Sequence, residues 1–566
     1  MRQLSIPIRL MGTVVIFFSV AMAQTPVPIG QSTTLEENMK PGTSHEYALS
    51  LARGESAEIV IRQQGVDVVI DLISPGGKLL DTIDSPTGRN GDEVVEIIAQ
   101  ESGIYGLRVR PISDHEPAGS YRLEVKALRG TGATTQLLES RRQARDSAVH
   151  WLRPHSIAIL SSGVIPQDLA LPPFDEFANR VRVLGLGEAT HGSREFGDLR
   201  LALTRRLIEK HGYRVVALEA STSRINQLAP YLNGDVGPSP TISRMFESGI
   251  WIGRRPRREL VEWLRKWNMQ HPHDRVRLVG VDASDNDDSR ARLGSFLERA
   301  YGADVLSRWI VAERELAAAD EQTAVFGDSD INLSARQFVL EAFAMIQSDA
   351  SILKVRFGMA DVQAAEEAAR NLAQFAVFNA ENGGAINHSR DWFMAVNVLR
   401  AIEDAGSSSR AVYWAHNAHV ASPQGSSRTT GALLRGVLGC NYGAMAVTFG
   451  EGAFVAQIPN DLEDRLAISL LPPAPDESIE GMLSLLRSDS ALATWPCSVE
   501  TTSLPEWLTQ PHFMHWVGAL YTPGSVSSAS LQSLNLMRNF DGVVFLRRVT
   551  ADEIPTDRPL IPARKR

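Results

Sequence analysis

A histidine stands between an acid and a glycine in the segment Gly187-Glu188-Ala189-Thr190-His191-Gly192, directly after the apolar run 181–186. The same arrangement recurs along the chain. Glu219 follows the run 215–218, and Asp282 follows 278–281. His416 and His419 come just after 412–414, and Gly450-Glu451-Gly452 follows 445–449. Imidazole is the side chain that takes a proton from water near neutral pH unaided, which is what hydrolysis of an ester requires. A carboxylate beside it, Glu188 or Glu219, orients the ring and stabilises its protonated form. The oxyanion that develops needs donors, and Arg200, His416, His419 and the backbone amides after Gly192 are the candidates. Gly192 lets that backbone approach closely. No Gly-x-Ser-x-Gly elbow is present, which disfavours a serine triad, and Ser193 is too near His191 on a turn to be aimed at it. Two histidines with carboxylates also suit zinc, but the helical His-Glu-x-x-His form is absent.

These residues need elements that bring them together. The runs 181–186, 215–218, 278–281, 412–414, 445–449 and 543–546 are largely apolar. That pattern suits strands buried on both faces, as in an α/β protein with a parallel or mixed sheet flanked by helices. Ligands of such sheets bind outside the carboxyl ends of the strands, where the acids and histidines fall. Residues 289–382 are rich in Ala, Leu, Glu and Arg and predict a helical insertion or cap. Residues 43–128 alternate instead, with turn signals such as Ser74-Pro75-Gly76-Gly77, and predict a small all-β sandwich. The expected boundaries are a signal peptide at 1–23, a β-sandwich at 24–129, a Gly/Thr linker and lead-in helix at 130–180, the chemical domain at 181–549 and a tail at 550–566.

The segment 186–196, Leu-Gly-Glu-Ala-Thr-His-Gly-Ser-Arg-Glu-Phe, resembles the signature of the erythromycin esterases. Further similarities follow in order: Leu218-Glu219, Trp263-Leu264-Arg265 with Asn268, Gly280-Val281-Asp282, Arg390-Asp391 with Met394-Ala395 and Asn397, and Trp414-Ala415-His416-Asn417-Ala418-His419. The resemblance spans nearly the whole chain after the linker. It implies a carboxylic ester hydrolase in which the first histidine, here His191, activates water without a metal or other cofactor. It carries catalytic roles to Glu188, Glu219, His416 and His419, and substrate contact to Arg200, Glu195, Asp282, Arg390 and Glu451. Asp282 and Glu451 are equally legible as loop caps, and Arg390 with Asp391 as an internal ion pair. One departure stands out: the family's Met-Ala-Glu-Asn run has Val396 in place of Glu, which bears on substrate and leaves macrolide cleavage, and with it antibiotic resistance, open. The stretch 43–128 is similar in pattern to the pre-peptidase C-terminal type of sandwich, notably at Ser102-Gly103-Ile104-Tyr105 and Gly119-Ser120-Tyr121. That type implies attachment to envelope or surface components.

With 566 residues, 43% of them hydrophobic and 22% charged, the chain has the composition of a globular protein of more than one domain. A net charge of -9 without any basic stripe excludes a nucleic-acid binder. Arg2 and Arg9, the apolar stretch 10–20 and Ala21-Met22-Ala23 read as a signal peptide cleaved before Gln24, hence a periplasmic or secreted protein with no stable membrane span. The expected partner is a small ester or lactone. Cys440 and Cys497 are either one disulfide or two buried thiols. His271, His273, His512 and His515 read as surface residues, and Trp251, Trp263 and Trp267 as core. Two rival functions remain: a metal-dependent hydrolase of the same fold, and a non-catalytic protein that keeps the crevice for a ligand.

Overall fold

A computed structural model of the chain describes residues 25–84, 88–113, 115–159, 169–239, 242, 254–284, 286–322, 331, 333–378, 388–423, 428–458, 465–486, 489–497, 503–521 and 530–554. The expected signal peptide, Trp251 and the tail beyond 554 lie outside them. Two compact units divide the chain after residue 137.

The first unit is a β-sandwich. Its strands are β1 (Val27–Ile29), β2 (Thr34–Met39), β3 (His45–Leu51), β4 (Ser56–Gln64), β5 (Val68–Ile73), β6 (Leu79–Ile83), β7 (Asn90–Ile98), β8 (Gly103–Pro111) and β9 (Gly119–Arg129). One sheet runs β1-β3-β8-β5-β6 and the other β2-β9-β4-β7. Alternation drives the packing: in β4, Ile59 and Ile61 are fully buried while Arg62 faces out. The Tyr121 of the Gly-Ser-Tyr motif is a core residue whose hydroxyl lies 2.5 Å from that of Tyr47. Gly119 of the same motif is required by proximity, since a Cβ there would sit 2.6 Å from the Gln64 carbonyl oxygen.

The stretch expected as a linker is helical. The helix Thr131–Leu152 starts inside it. Thr135 bonds back to the Thr131 carbonyl at 2.9 Å, and the buried Thr134 hydroxyl meets Ser56 Oγ at 3.0 Å, so the threonines serve a helix that composition alone assigned to a flexible joint.

The second unit is built on a mixed sheet of order β10-β17-β20-β15-β11-β14-β12-β13, with β16 on β15. The strands are β10 (Ser156–Ile157), β11 (Val183–Leu186), β12 (Val215–Ser221), β13 (Arg277–Asp282), β14 (Ala411–Trp414), β15 (Tyr442–Gln457), β16 (Leu466–Leu471), β17 (Ser490–Thr494) and β20 (Gly542–Val549). From β20 to β13 every neighbouring pair is parallel; β16 and β17 run against this block, and β10 pairs antiparallel with β17. Two further strands, β18 (His512–His515) and β19 (Leu531–Leu534), form a separate antiparallel pair. One face of the main sheet packs on the helices Arg194–His211 and Arg254–Gln270. The other packs on His388–Asp404, Thr430–Leu438 and the end of Thr131–Leu152. Coverage of both faces is why the central strands are apolar without alternation. The expected helical insertion is present as Asp287–Tyr301, Ala303–Gln322, Leu333–Ser348, Ala350–Phe357 and Met359–Phe378, around a core of its own.

Cys440 and Cys497 form a disulfide, with Cα atoms 5.7 Å apart. Among the described residues no helix is long and apolar enough to cross a membrane.

Register fixes what meets at the carboxyl edge. Leu186 pairs with Trp414, Trp414 with Leu218, and Leu218 with Gly280, so these four residues form one row across β11, β14, β12 and β13. The residues that follow them in sequence therefore emerge side by side.

Candidate active site

Glu188 and His191 lie in the turn between β11 and the helix Arg194–His211. His191 Nδ1 is 2.7 Å from Glu188 Oε1, and Glu188 Oε2 is 2.5 Å from Arg200 Nη2. The carboxylate is almost wholly buried. Burial alone would raise its pKa, but Arg200 and then His191 outweigh it and hold Glu188 below the usual carboxylate range. An ionised Glu188 accepts the Nδ1–H of His191, which fixes the tautomer and leaves the Nε2 lone pair outward. Nε2 makes no hydrogen bond to any described residue, and the His191 side chain keeps 12% of its surface exposed.

Glu219, on β12, is a hub. Its Oε2 accepts the backbone N–H of His416 at 2.8 Å. Its Oε1 lies 3.0 Å from Arg390 Nη2 and 3.2 Å from His419 Nε2. Burial would raise this carboxyl too; His419 and Arg390 reverse that and hold it well below the usual range.

His416 and His419 differ in protonation because their partners differ. His416 Nδ1 accepts the Ala418 N–H at 3.1 Å, so its Nε2 carries the proton and donates to the Ala189 carbonyl at 3.2 Å. Burial, with His191 nearby, pushes its pKa down to about 3, and it is a neutral, locked ring. His419 is the opposite case. Nδ1 is 2.8 Å from Asp391 Oδ1, and although burial opposes the charge, Asp391 and Glu219 raise the pKa to about 10. His419 is thus an imidazolium. Arg390 Nη1 approaches His419 Nε2 at 3.1 Å; with both groups cationic this contact is two charges sharing the Glu219 carboxylate, not a hydrogen bond between them. The His191 and His416 rings meet edge to face, their centroids 5.6 Å apart, and Trp516 closes on His416 at 5.4 Å.

The structure thus brings Glu188, His191, Arg200, Glu219, Asp282, Arg390, His416 and His419 into one connected cluster. Asp282 enters through Arg390, whose Nη2 lies 2.7 Å from Asp282 Oδ2. Arg390 and Asp391, adjacent on the helix His388–Asp404, do not pair with each other. Arg390 turns to Glu219 and Asp282, while Asp391 holds His419 and accepts the Thr430 N–H at 2.7 Å. Two candidate residues point elsewhere. Glu195 accepts from the Thr550 amide and hydroxyl at 2.7 and 2.6 Å, tying the start of the expected tail to the domain. Glu451 pairs with Arg548 at 2.6 Å across β15 and β20.

Local details explain the motif. Ser193 is the N-cap of the helix Arg194–His211 and accepts from the Phe196 N–H, which commits its hydroxyl to capping. Gly192 is indispensable for packing: a Cβ there would lie 1.9 Å from the Val455 carbonyl oxygen. The close approach expected at Gly192 is therefore that of β15. Buried Asn417 takes the Val447 N–H and donates to the Val447 carbonyl, pinning the turn after β14 to β15. His515, expected at the surface, is buried in β18 between the Phe449 carbonyl, 2.9 Å from Nδ1, and Glu480, which accepts its backbone N–H at 3.0 Å. Val396 is half-buried on the helix His388–Asp404.

Sequence reasoning missed Arg257. It lines a void of about 10 Å³ with Glu188, Arg200, Glu219 and Trp414, room for about one water. Burial lowers its pKa to about 10 against the pull of Glu188. It lies in the run Arg254-Arg255-Pro256-Arg257-Arg258, and nothing in one sequence distinguishes the arginine that faces inward.

The family model for erythromycin esterase matches residues 208–549. The chain belongs to the erythromycin esterase family. Erythromycin esterase type I of Escherichia coli is 25% identical over 175 residues, 29% of this chain, and the match spans 40% of that relative's length. A solved structure described as a succinoglycan biosynthesis protein superposes with a TM-score of 0.56 at 15% identity, covering 73% of this chain and 98% of that one. An erythromycin esterase mutant in its open conformation superposes with a TM-score of 0.52 at 18% identity, covering 69% and 97%. The matched region begins after the His191 motif, so the geometry of Glu188, His191 and Arg200 supplements the family match.

Proposed function

We propose that the protein is an exported hydrolase that cleaves an ester, a macrocyclic lactone in particular, by direct attack of water with His191 as general base. The observation that carries this reading is the Glu188–His191 pair, with Nδ1 held by an ionised carboxylate and Nε2 left open. Water gives its proton to Nε2 as its oxygen adds to the carbonyl carbon. The resulting oxyanion is stabilised by the positive charge that Arg200 and Arg257 set beside Glu188. Collapse expels the alkoxide, which takes the proton back from His191. Glu219 has both oxygens engaged and acts as the positioning carboxylate for His416 and His419. His416 acts as a rigid wall, since both its nitrogens are occupied.

The same bonding argues against the metal-dependent alternative. A metal ligand must offer a free lone pair; His416 Nδ1 already accepts an N–H, and His419 is protonated between two carboxylates. A lactone is favoured by the erythromycin esterase names among the relatives, and Val396 stands where the family pattern has Glu. Export is supported by the N-terminal sequence and by the disulfide, which suits an oxidising compartment. The test is a screen of purified mature protein against linear esters and macrocyclic lactones. Steady turnover without a product burst, indifferent to a chelator, is expected. A burst that depends on Ser193 would indicate an acyl-enzyme, and no turnover on any compound would indicate a binding protein. N-terminal sequencing of exported protein is expected to begin at Gln24.

A further inference from the structure

A second polar cavity, of about 290 Å³, opens where the helical insertion meets the carboxyl edge of the sheet. Thr222, which lines it, follows Glu219 by three residues and donates to the Asp282 carbonyl at 3.0 Å. The cavity is thus one residue layer from the reaction centre, yet none of its walls belongs to the cluster. Its walls carry the amides of Asn226, Gln227 and Asn371, the Ser289 hydroxyl and two charged groups, Arg292 and Glu367, beside the small apolar Pro230, Ala364 and Ala368, with no aromatic ring. Ser289 Oγ donates to Ser223 Oγ at 3.0 Å, and Asn371 Nδ2 donates to Ser289 Oγ at 3.2 Å. Asn371 is 3% exposed, and its Oδ1 has no hydrogen-bond partner among the described residues.

A buried amide oxygen without a partner is costly. Side-chain donors and acceptors set together, Arg292 and Glu367 among the amides, match a ligand that both donates and accepts, such as a ring of hydroxyls. The volume is at the lower end of small-molecule sites. We infer that this cavity binds a polyhydroxylated group of monosaccharide size, whose hydroxyls donate to Asn371 Oδ1 and Glu367 and accept from Gln227 and Arg292. Such a group has two sources, a free sugar or a glycosyl substituent on the substrate, and the chemistry of recognition is shared.

The test uses the whole chain and needs no turnover, so it stands or falls separately from the proposed hydrolysis. Methyl glycosides of hexoses are titrated by calorimetry and by ligand-observed saturation-transfer NMR, with cyclohexanol as the apolar control. Ala364 lines the cavity from a half-exposed helix position, so Ala364→Trp fills it with little burden on the core. The expected result is saturable binding of at least one glycoside, none of cyclohexanol, and a loss of about ten-fold or more in Ala364→Trp with an unchanged melting temperature. Asn371→Leu, which removes the unpaired oxygen at similar volume, is expected to weaken the same glycoside. A glycosylated ester and its aglycone then separate the sources. A KM advantage for the glycosylated form that vanishes in Ala364→Trp marks a substrate subsite; equal KM values with intact sugar binding mark a site for free sugar. Absence of glycoside binding, or binding unaltered in a folded Ala364→Trp, would overturn the inference.

Discussion

The two units of this chain differ in how they hold charge. In the β-sandwich, pairs such as Arg62–Asp92 and Arg108–Glu46 involve side chains that are substantially solvated, while the buried carboxylates Asp71 and Glu93 are held singly, by Arg110 and Gln63. The Tyr47–Tyr121 pair of hydroxyls lies in its core. In the α/β unit, Glu188, Glu219, Asp282 and Arg200 are almost wholly buried, with Arg390 and His419 among them. Taking such groups out of water opposes folding unless every one is paired, and apolar residues would fill the space at lower cost. Among its described residues the sandwich buries single carboxylates, Asp71 and Glu93, and no such cluster. The concentration of buried ions at one sheet edge is what the proposed function rests on.

The comparison sharpens through mutation. The largest loss of stability is expected from Arg390→Met. It leaves Asp282 and Glu219 buried without their shared cation, and about 3–5 kcal/mol of unfolding free energy is expected to go with it in urea titrations of the α/β unit. Replacing Cys440 and Cys497 by serine together is expected to cost about 2–4 kcal/mol, because the bond closes a loop with a sequence separation of 57. In the sandwich, Arg108→Ala is expected to shift the melting temperature by about a degree or less. A large effect there, or none at Arg390, would dissolve the contrast.

The buried histidines also set a pH dependence. His416 has a folded pKa of about 3 against 6.5 for the model group, so below pH 6.5 the unfolded chain binds a proton that the folded chain refuses. Stability then falls as pH drops from 6.5 towards 3. His419 is raised from 6.5 to about 10, so its contribution is complete below pH 6.5 and is lost as pH rises through about 10. Together the two place the maximum near 6.5. The lowered carboxyls of Glu188, Glu219 and Asp391 add to the acid loss. His416→Asn is expected to flatten the acid limb and leave the alkaline one, as read from unfolding free energies at a series of pH values.

Much of this arrangement was legible in the sequence, and for physical reasons. β11, β12, β14 and the first half of β15 read as unbroken apolar runs because helices cover both their faces. Glu188, His191, Glu219 and His416 were legible because parallel strands deliver whatever follows them to one edge. β17 was missed because Ser-Ala-Leu-Ala-Thr is buried through small side chains and carries no β-branched run. The helix from Thr131 was missed because its threonines gain partners that only folding supplies. His515 resembled a surface residue because its partners, the Phe449 carbonyl and Glu480, are distant in sequence. Protonation was the least legible property. Three histidines of identical type become a ring with an open Nε2, a locked neutral ring and an imidazolium only through contacts with Glu188, Ala418 and Asp391.

That division of roles is decided most directly by the kinetics of His191→Ala, measured on whichever ester or lactone the wild-type protein turns over. The expected result is a fall in kcat of about 10²–10⁴-fold with KM changed far less, since proton abstraction from water is made in the transition state. His191→Gln is expected to be equally poor, because its amide keeps a hydrogen bond to Glu188 but takes no proton. Full activity in folded His191→Ala would contradict the assignment of the base, and with it the reading of the whole cluster.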